Sequence, residues 1–128
     1  MKTNNFEVGR IGENIACRFL IKKGYQIIER NHRERSDEID IIGISPERTL
    51  VFIEVKTLVG GFIDSSRRLM PEDQLTAWKL KKISRACMIF VGKHPELVDP
   101  EKGWRIDLVA IALDRDGWVA KMDHYENI

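Results

Sequence analysis

The sequence predicts an α/β fold in which helices flank a central mixed β-sheet, in the element order αβββαββ. Apolar residues recur at spacings of three and four in two segments, which is the period of a helix. Five other segments are short and apolar, and turn-forming residues separate most of them. Because each sheet face must be covered, the two helices are expected to pack against the strands.

The first predicted element is a helix from about Asn5 to Lys23. Its apolar stripe consists of Val8, Ile11, Ile15 and Phe19. Asn4 followed by Glu7 resembles a capping pair at the start, and Gly24 is a common residue after a helix end. Three strand-like segments follow, with the sequences YQIIERN, EIDIIGIS and TLVFIEVKT. The tripeptide PER, which begins with Pro46, is expected to form the turn between the last two strands.

The second half of the chain predicts one helix and two strands. After a loop expected at Leu58 to Met70, Pro71 opens the helix, because proline is favoured in a first turn. The apolar stripe of this helix contains Leu80, Ile83, Cys87 and Phe90. A loop from His94 to Gly103 then precedes the strands WRIDLVAIAL and WVAKMDHYE.

Length and composition predict a single folded domain spanning residues 1–128. No apolar run approaches the roughly 18 to 20 residues that span a bilayer, and the first ten residues have no apolar signal-peptide core. We therefore expect cytoplasmic residence without membrane association. Cys17 and Cys87 lie in apolar helical patterns and are expected to be buried free thiols. Since the three histidines lack ligand spacing, a metal site would need oxygen ligands.

Charged residues interrupt the two apolar strands of the predicted hairpin. Alternation places Glu38 and Asp40 on one face of the first strand, with Ile39 and Ile41 opposite. Glu54 and Lys56 likewise share one face of the next strand. If PER forms a three-residue loop, Asp40 lies opposite Glu54, with Cβ atoms about 4.5 to 5.5 Å apart. A four-residue loop would place the two acids on different faces.

Two carboxylates at this separation need a proton, a cationic side chain or a metal ion to offset their repulsion. Carboxylate oxygens suit Mg²⁺ or Mn²⁺, and Lys56 could hold a water molecule or a phosphate nearby. Such a combination is typical of a phosphodiester-cleaving centre. The alternative is a structural hairpin in which Lys56 forms an ion pair with Asp40 or Glu54. Glu13 is a further candidate because small neighbouring residues would let its helix approach the sheet, although the local sequence alone favours a solvent-facing glutamate.

Basic residues form local clusters although the net charge is only +1. The clusters are Arg30, Arg33 and Arg35; Arg67 and Arg68; and Lys79, Lys81, Lys82 and Arg85. Each cluster could be a solvated face. Candidates for phosphate contacts are Arg33, Arg35, Lys79, Lys82 and Arg85, of which the last three share one face of the second helix.

The segments GRIGENIACRFLIKKGYQIIERNHRERSDEIDII and LVFIEVKT resemble the YraN-like family of small bacterial proteins. That family is similar to archaeal Holliday-junction resolvases and belongs with the PD-(D/E)XK nucleases of restriction-endonuclease-like fold. The resemblance continues through LTAWKLKKI, WRIDLVAI and HYEN, so it covers nearly the whole chain. Two positions depart from the family pattern, Asp37 in place of glycine and Leu58 in place of arginine.

The resemblance implies a set of site residues. Glu13 matches the glutamate of the first helix, Asp40 the hairpin aspartate, and Glu54 and Lys56 the acid–x–lysine motif. By analogy the Val55 carbonyl joins Asp40 and Glu54 as a metal ligand. Glu38 matches the glutamate of a Gly-Glu-Ile-Asp motif and would be an assisting acid.

The activity implied by the resemblance is metal-dependent cleavage of DNA with Mg²⁺ or Mn²⁺, by analogy on branched substrates. Cutting a two-fold junction symmetrically needs two active sites, so a homodimer is expected. One alternative is a nucleic-acid-binding module that keeps the fold without turnover. Another is a carboxylate-pair hydrolase acting on sugars, against which stand the adjacent lysine and the lack of an aromatic platform near the hairpin.

Overall fold

The computed structural model of the protein describes residues 4–60 and 71–128, and it describes only the backbone at 71 and 72. The elements are α1 (Asn5–Lys22), β1 (Gln26–Glu34), β2 (Asp37–Ile44), β3 (Leu50–Val59), α2 (Pro71–Gln74), α3 (Ala77–Lys93), a 3₁₀ helix (Pro95–Leu97), β4 (Trp104–Leu113) and β5 (Val119–Tyr125). The strands form one sheet in the order β1-β2-β3-β4-β5. Only β3 and β4 pair in parallel among the described strands. The predicted α/β class, with a mixed sheet flanked by helices, is confirmed.

The hairpin between β2 and β3 has the predicted three-residue loop. Ser45 N–H donates to the Thr49 carbonyl at 2.9 Å, and Ile44 lies opposite Leu50. Loop length and strand alternation therefore set the register that the sequence predicts. Pairing between the two strands ends with Ile41 opposite Ile53, one position before the two acids.

Two hydrophobic cores hold the helices against opposite faces of the sheet. The core under α1 includes Cys17, Leu20, Ile41 and Ile53, and the core under α3 includes Ile39, Phe52, Cys87 and Phe90. Full burial of a side chain such as leucine or phenylalanine stabilises the fold by about 1.5 to 3 kcal/mol. Both cysteines are buried free thiols, as predicted.

The element boundaries differ from the predictions in three places. A single helix from Pro71 is wrong, because Thr76 adopts an extended backbone and its side chain accepts a hydrogen bond from Lys79 N–H, which starts α3 anew. The first strand runs on to Glu34, past the predicted end at Asn31. Strand β3 continues through Val59, and residues 61–70 of the predicted loop, with Arg67 and Arg68, lie outside the described residues.

Strand β2 rotates where alternation predicted a regular face. Ile39 packs in the core under α3, whereas Ile41 packs in the core under α1, so the prediction that they share a face is wrong. The opposite strand rotates with it: Arg30 pairs with Ile41 and His32 with Ile39. Between them Asn31 has φ 54°, a left-handed conformation that breaks the alternation. Asp40 therefore lies at the point where the side chains of β2 switch from one face of the sheet to the other.

Candidate metal centre

The candidate site lies where β2 and β3 separate. Beyond the last hairpin pair, β3 stays paired with β4 as far as Val59 opposite Leu113. The Asp40 carboxylate accepts a hydrogen bond from Val55 N–H at 2.8 Å, which fixes this acid against the free edge of β3. Asp40 and Glu54 thus meet at the mouth of the hairpin, as the three-residue loop predicts.

Helix α1 brings Glu13 to the same place. A methyl group added at Gly12 would lie 1.7 Å from Thr57 Oγ1, so the missing side chain lets the helix contact β3 closely. Carboxylate oxygens of Glu13, Glu38 and Asp40 lie within 4.8 Å of one another. The Glu13 side chain is only 15% exposed and lies 3.7 Å from Arg30, so it does not face open solvent.

Burial and mutual repulsion make these acids hard to ionise. Burial, together with the Asp40 charge, raises the pKa of Glu54 to about 8, although Lys79 opposes the shift. Burial is also the main cause that raises the pKa of Asp40, against the hydrogen bond from Val55. The pKa of Glu13 is raised by burial and by the Asp40 charge. In the absence of another cation, Glu54 retains a proton at neutral pH and can donate it in a hydrogen bond to Asp40.

One cavity of about 510 Å³ joins the predicted residues. It is lined by Glu13, Asp40, Glu54, Val55 and Lys56. In an extended strand the N–H and C=O of one residue point to the same side, so the Val55 carbonyl faces the same edge as its N–H, toward Asp40. Carboxylates with a backbone carbonyl form a donor set that suits Mg²⁺ or Mn²⁺. The arrangement can bind a hard divalent cation beside a lysine.

Lysine 79 has a position that the sequence reasoning missed. It was predicted as a phosphate contact, and in the structure its Nζ also lies 3.5 Å from Glu54 Oε1 and lines the same cavity as Lys56. The signal available in the sequence was its place in the first turn of the helix, three residues after the capping Thr76.

The other predicted phosphate contacts are spread over two surfaces. Lys82 Nζ lies 3.4 Å from Asp37, so this acid has a cationic partner. Arg33 lies 3.6 Å from its cross-strand neighbour Glu38. Arg35 and Arg85 are exposed. Contact of these four residues and of Lys79 with nucleic acid stays a prediction.

A second charged network was also missed by the sequence reasoning. Asp107 is fully buried and accepts hydrogen bonds from Arg105 at 3.0 Å and from Asn127 N–H at 2.9 Å, and it contacts His124 at 2.8 Å. Glu126 completes a group whose ligand atoms lie close enough for a metal. The Arg105 guanidinium already contacts both carboxylates, so we interpret the network as structural, joining β4 to the residues that follow β5. The sequence signal for this network was an acid, Asp107, within the apolar segment WRIDLVAIAL.

Within the described residues, no helix is both long and apolar enough to cross a membrane.

Comparisons with known proteins agree with the resemblance seen in the sequence. The model of the family described as "Uncharacterised protein family UPF0102" matches residues 12–111. A UPF0102 protein from Chlorobium phaeobacteroides is 43% identical over 105 residues, covering 82% of this chain and 76% of the relative. Another, from Caldicellulosiruptor bescii, is 37% identical over 117 residues, covering 91% and 92%.

Among solved structures, one described as a repair endonuclease from Pyrococcus abyssi superposes with a TM-score of 0.46 at 13% identity. The match covers 91% of this chain and 42% of the endonuclease chain, so this chain spans less than half of that protein. The family match over most of the chain and the two relatives confirm the resemblance: the chain belongs to the UPF0102 (YraN) family.

Proposed function

We propose that the protein is a metal-dependent DNA endonuclease that hydrolyses phosphodiester bonds with Mg²⁺ or Mn²⁺. The observation that carries the proposal is the meeting of Asp40 and Glu54 at the open end of the hairpin, in one cavity with Lys56. Burial raises the pKa of both acids, and the Asp40 charge raises the pKa of Glu54 further, so the pair is suited to bind a cation that offsets these costs.

In this proposal Asp40, Glu54 and the Val55 carbonyl hold the metal. The bound ion would polarise the phosphoryl oxygen and lower the pKa of a coordinated water. Glu13 and Glu38 lie close enough to Asp40 to orient further water molecules around the site. Lys56 is not a metal ligand. It is suited to hold the attacking water or to neutralise charge on the phosphate.

A direct test is to incubate the protein with linear, flapped, single-stranded and four-way DNA, with Mg²⁺, with Mn²⁺ or with a chelator. We expect cleavage only with metal, and loss of cleavage in Asp40→Asn and Lys56→Met. Branched substrates are expected to be preferred, and a mass measurement in solution tests for the homodimer that symmetric junction cleavage needs. Cleavage that persists in Asp40→Asn, or in chelator, would contradict the assignment.

The second candidate function is a nucleic-acid-binding module without turnover. It is favoured by one observation: the Lys79 ammonium lies 3.5 Å from Glu54, so this acid has a cationic partner even without metal. On this reading the lysine replaces the ion permanently. The two functions separate on whether Mn²⁺ stabilises the fold, since a ligand that binds only the folded state raises the melting temperature.

A further inference from the structure

We propose that the groove between α1 and β1 binds an unpaired nucleic-acid strand, with Phe6 stacking on a base and arginines holding the phosphates. This inference rests on the proposed function and specifies the form of its substrate. It places the strand on the α1 side of the sheet, whereas the basic cluster of α3 lies on the other side.

The groove adjoins the acids of the candidate metal centre. It has a volume of about 780 Å³, within the range of about 300 to 1,000 Å³ typical of ligand pockets. Glu13 and Glu38 line this groove and also belong to the group of acids around Asp40. A strand lying in the groove would therefore bring one of its phosphates to the metal centre.

Three arginines give the groove the charge that a phosphate backbone requires. Arg10, Arg30 and Arg33 line it and are exposed. Arg30 donates to Asn14 at 2.8 Å and lies 3.7 Å from Glu13, so its guanidinium is held in place. A guanidinium has five N–H donors, and one carboxylate partner leaves several of them for a phosphate.

The aromatic residue of the groove favours an unpaired strand over a duplex. Phe6 also lines the groove and is 74% exposed, so its ring is available to stack on a base. Bases inside a duplex are already stacked, whereas unpaired bases stack on exposed aromatic rings. A groove that combines one such ring with arginines matches single-stranded recognition.

The α3 face is the competing surface. Its cations Lys79 and Lys82 lie 3.5 and 3.4 Å from Glu54 and Asp37, so they are paired with acids much as Arg30 and Arg33 of the groove are. That face also carries an exposed aromatic, Trp78, at 71% exposure. The two surfaces can therefore be compared by matched aromatic substitutions.

The test is the affinity for fluorescein-labelled oligothymidine and for a matched duplex, measured by anisotropy in chelator so that no cleavage occurs. We expect tighter binding of the single strand, and a loss of roughly 5- to 150-fold in Phe6→Ala, the range for removing one stacking partner. Phe6→Trp should retain affinity. Trp118→Ala is the control, because Trp118 is 73% exposed in the β4–β5 turn and does not line the groove. All variants should keep the wild-type melting temperature.

The arginines are tested by salt dependence. Arg10→Gln combined with Arg33→Gln should reduce the slope of log affinity against log salt by about 1.4, since each single-strand phosphate contact contributes about 0.7. An unchanged slope, or a loss in Trp78→Ala but not in Phe6→Ala, would overturn the groove and favour the α3 face. Equal affinity for duplex and single strand would overturn the unpaired substrate.

These outcomes are separate from failure of the proposed function. If Phe6→Ala weakens binding but no DNA is cleaved with Mg²⁺ or Mn²⁺, the groove stands and the nuclease proposal fails. If cleavage depends on Asp40 but Phe6→Ala leaves the binding affinity unchanged, the nuclease proposal stands and the groove proposal is wrong.

Discussion

The Asp40 carboxylate accepts a hydrogen bond from the backbone N–H of Val55 across the open end of the hairpin, at 2.8 Å. A side chain thus takes the place of the strand partner that β3 loses after Ile53. The bond satisfies a backbone donor that would otherwise lack a strand partner, and it holds the carboxylate in position before any ion binds. The acid is therefore both a structural and a candidate metal-binding group, and the two roles can be separated by mutation.

Asp40→Asn removes the charge and keeps an oxygen that can still accept the Val55 hydrogen bond. We expect the metal-free protein to change in stability by less than about 1 kcal/mol, or to become slightly more stable, because the cost of burying the Asp40 charge disappears. Wild type should gain about 2.7 kcal/mol when free Mn²⁺ is a hundred times its dissociation constant, and the variant should gain much less. Melting temperature with and without Mn²⁺ is the measurement.

Lys56→Met provides the matched control for the metal. Lysine is not a metal ligand, so this variant should be stabilised by Mn²⁺ as wild type is, while losing cleavage. If Asp40→Asn is strongly destabilised without metal, and Mn²⁺ shifts the melting temperature of none of the three proteins, Asp40 is a structural partner only. The binding-module function would then be favoured.

The acidity of Glu54 predicts how stability changes with pH when metal is absent. Its pKa is raised from 4.5 to about 8 by burial and by Asp40, so the protonated form is favoured in the folded state. The stability it contributes is complete below about pH 4.5 and is lost as pH rises toward 8, by at most roughly 1.4 kcal/mol per pH unit. Glu54→Gln should lack this loss. Thermal melts in chelator across this range make the comparison.

Adding Mn²⁺ should reverse the trend in wild type, because metal binding requires ionised carboxylates and strengthens as pH rises. The stabilisation by metal is thus expected to be small at pH 5 and large at pH 8. Equal slopes in wild type and Glu54→Gln, in chelator, would mean that Glu54 is ionised throughout and that Lys79 neutralises it.

The contact of Gly12 with Thr57 predicts that α1 cannot tolerate a side chain there. Gly12→Ala should destabilise the fold by about 1 to 3 kcal/mol, since the added methyl group overlaps Thr57 Oγ1 and the helix must move. The shift would also displace Glu13 and lower cleavage. Gly9→Ala is the control: its Cβ would meet nothing within 4 Å, so we expect unchanged or slightly higher stability. A neutral Gly12→Ala in denaturant melts would show that the helix can move without cost.

The hairpin and its acids were predictable because their geometry is local. A three-residue loop and strict alternation place Asp40 opposite Glu54, and no distant contact is needed for this argument. The rotation between Ile39 and Ile41 was not predictable, because it depends on the left-handed backbone of Asn31 in the neighbouring strand. An asparagine tolerates that conformation but does not require it.

The position of Lys79 was unpredictable for a related reason. Its helical face was correctly identified, but which sheet residue lies under that face depends on where Thr76 restarts the helix and how α3 crosses the strands. The prediction of a phosphate contact used only the charge of the lysine and the face it occupies. The ion pair with Glu54 joins residues 25 positions apart in sequence, so no local pattern indicates it, and the phosphate contact itself stays a prediction.

The buried Asp107 predicts a large stability loss that is independent of the metal centre. Burial opposes its ionisation, but hydrogen bonds from His124, Asn127 N–H and Arg105 outweigh this and hold the pKa of Asp107 below its ordinary value. Asp107→Asn would leave the Arg105 charge without its buried partner, at an expected cost of about 3 to 5 kcal/mol in the free energy of unfolding at pH 7.

Because the pKa of Asp107 is lowered, the stability it contributes is present above about pH 4 and disappears as pH falls further. The free energy of unfolding of the variant should therefore depend less on pH in acid than that of wild type. The exposed Asp116→Asn should change stability by less than about 0.5 kcal/mol. Urea denaturation at pH 7 and pH 3 distinguishes these expectations, and equal unfolding free energies for the two variants at pH 7 would refute a stabilising role for the network.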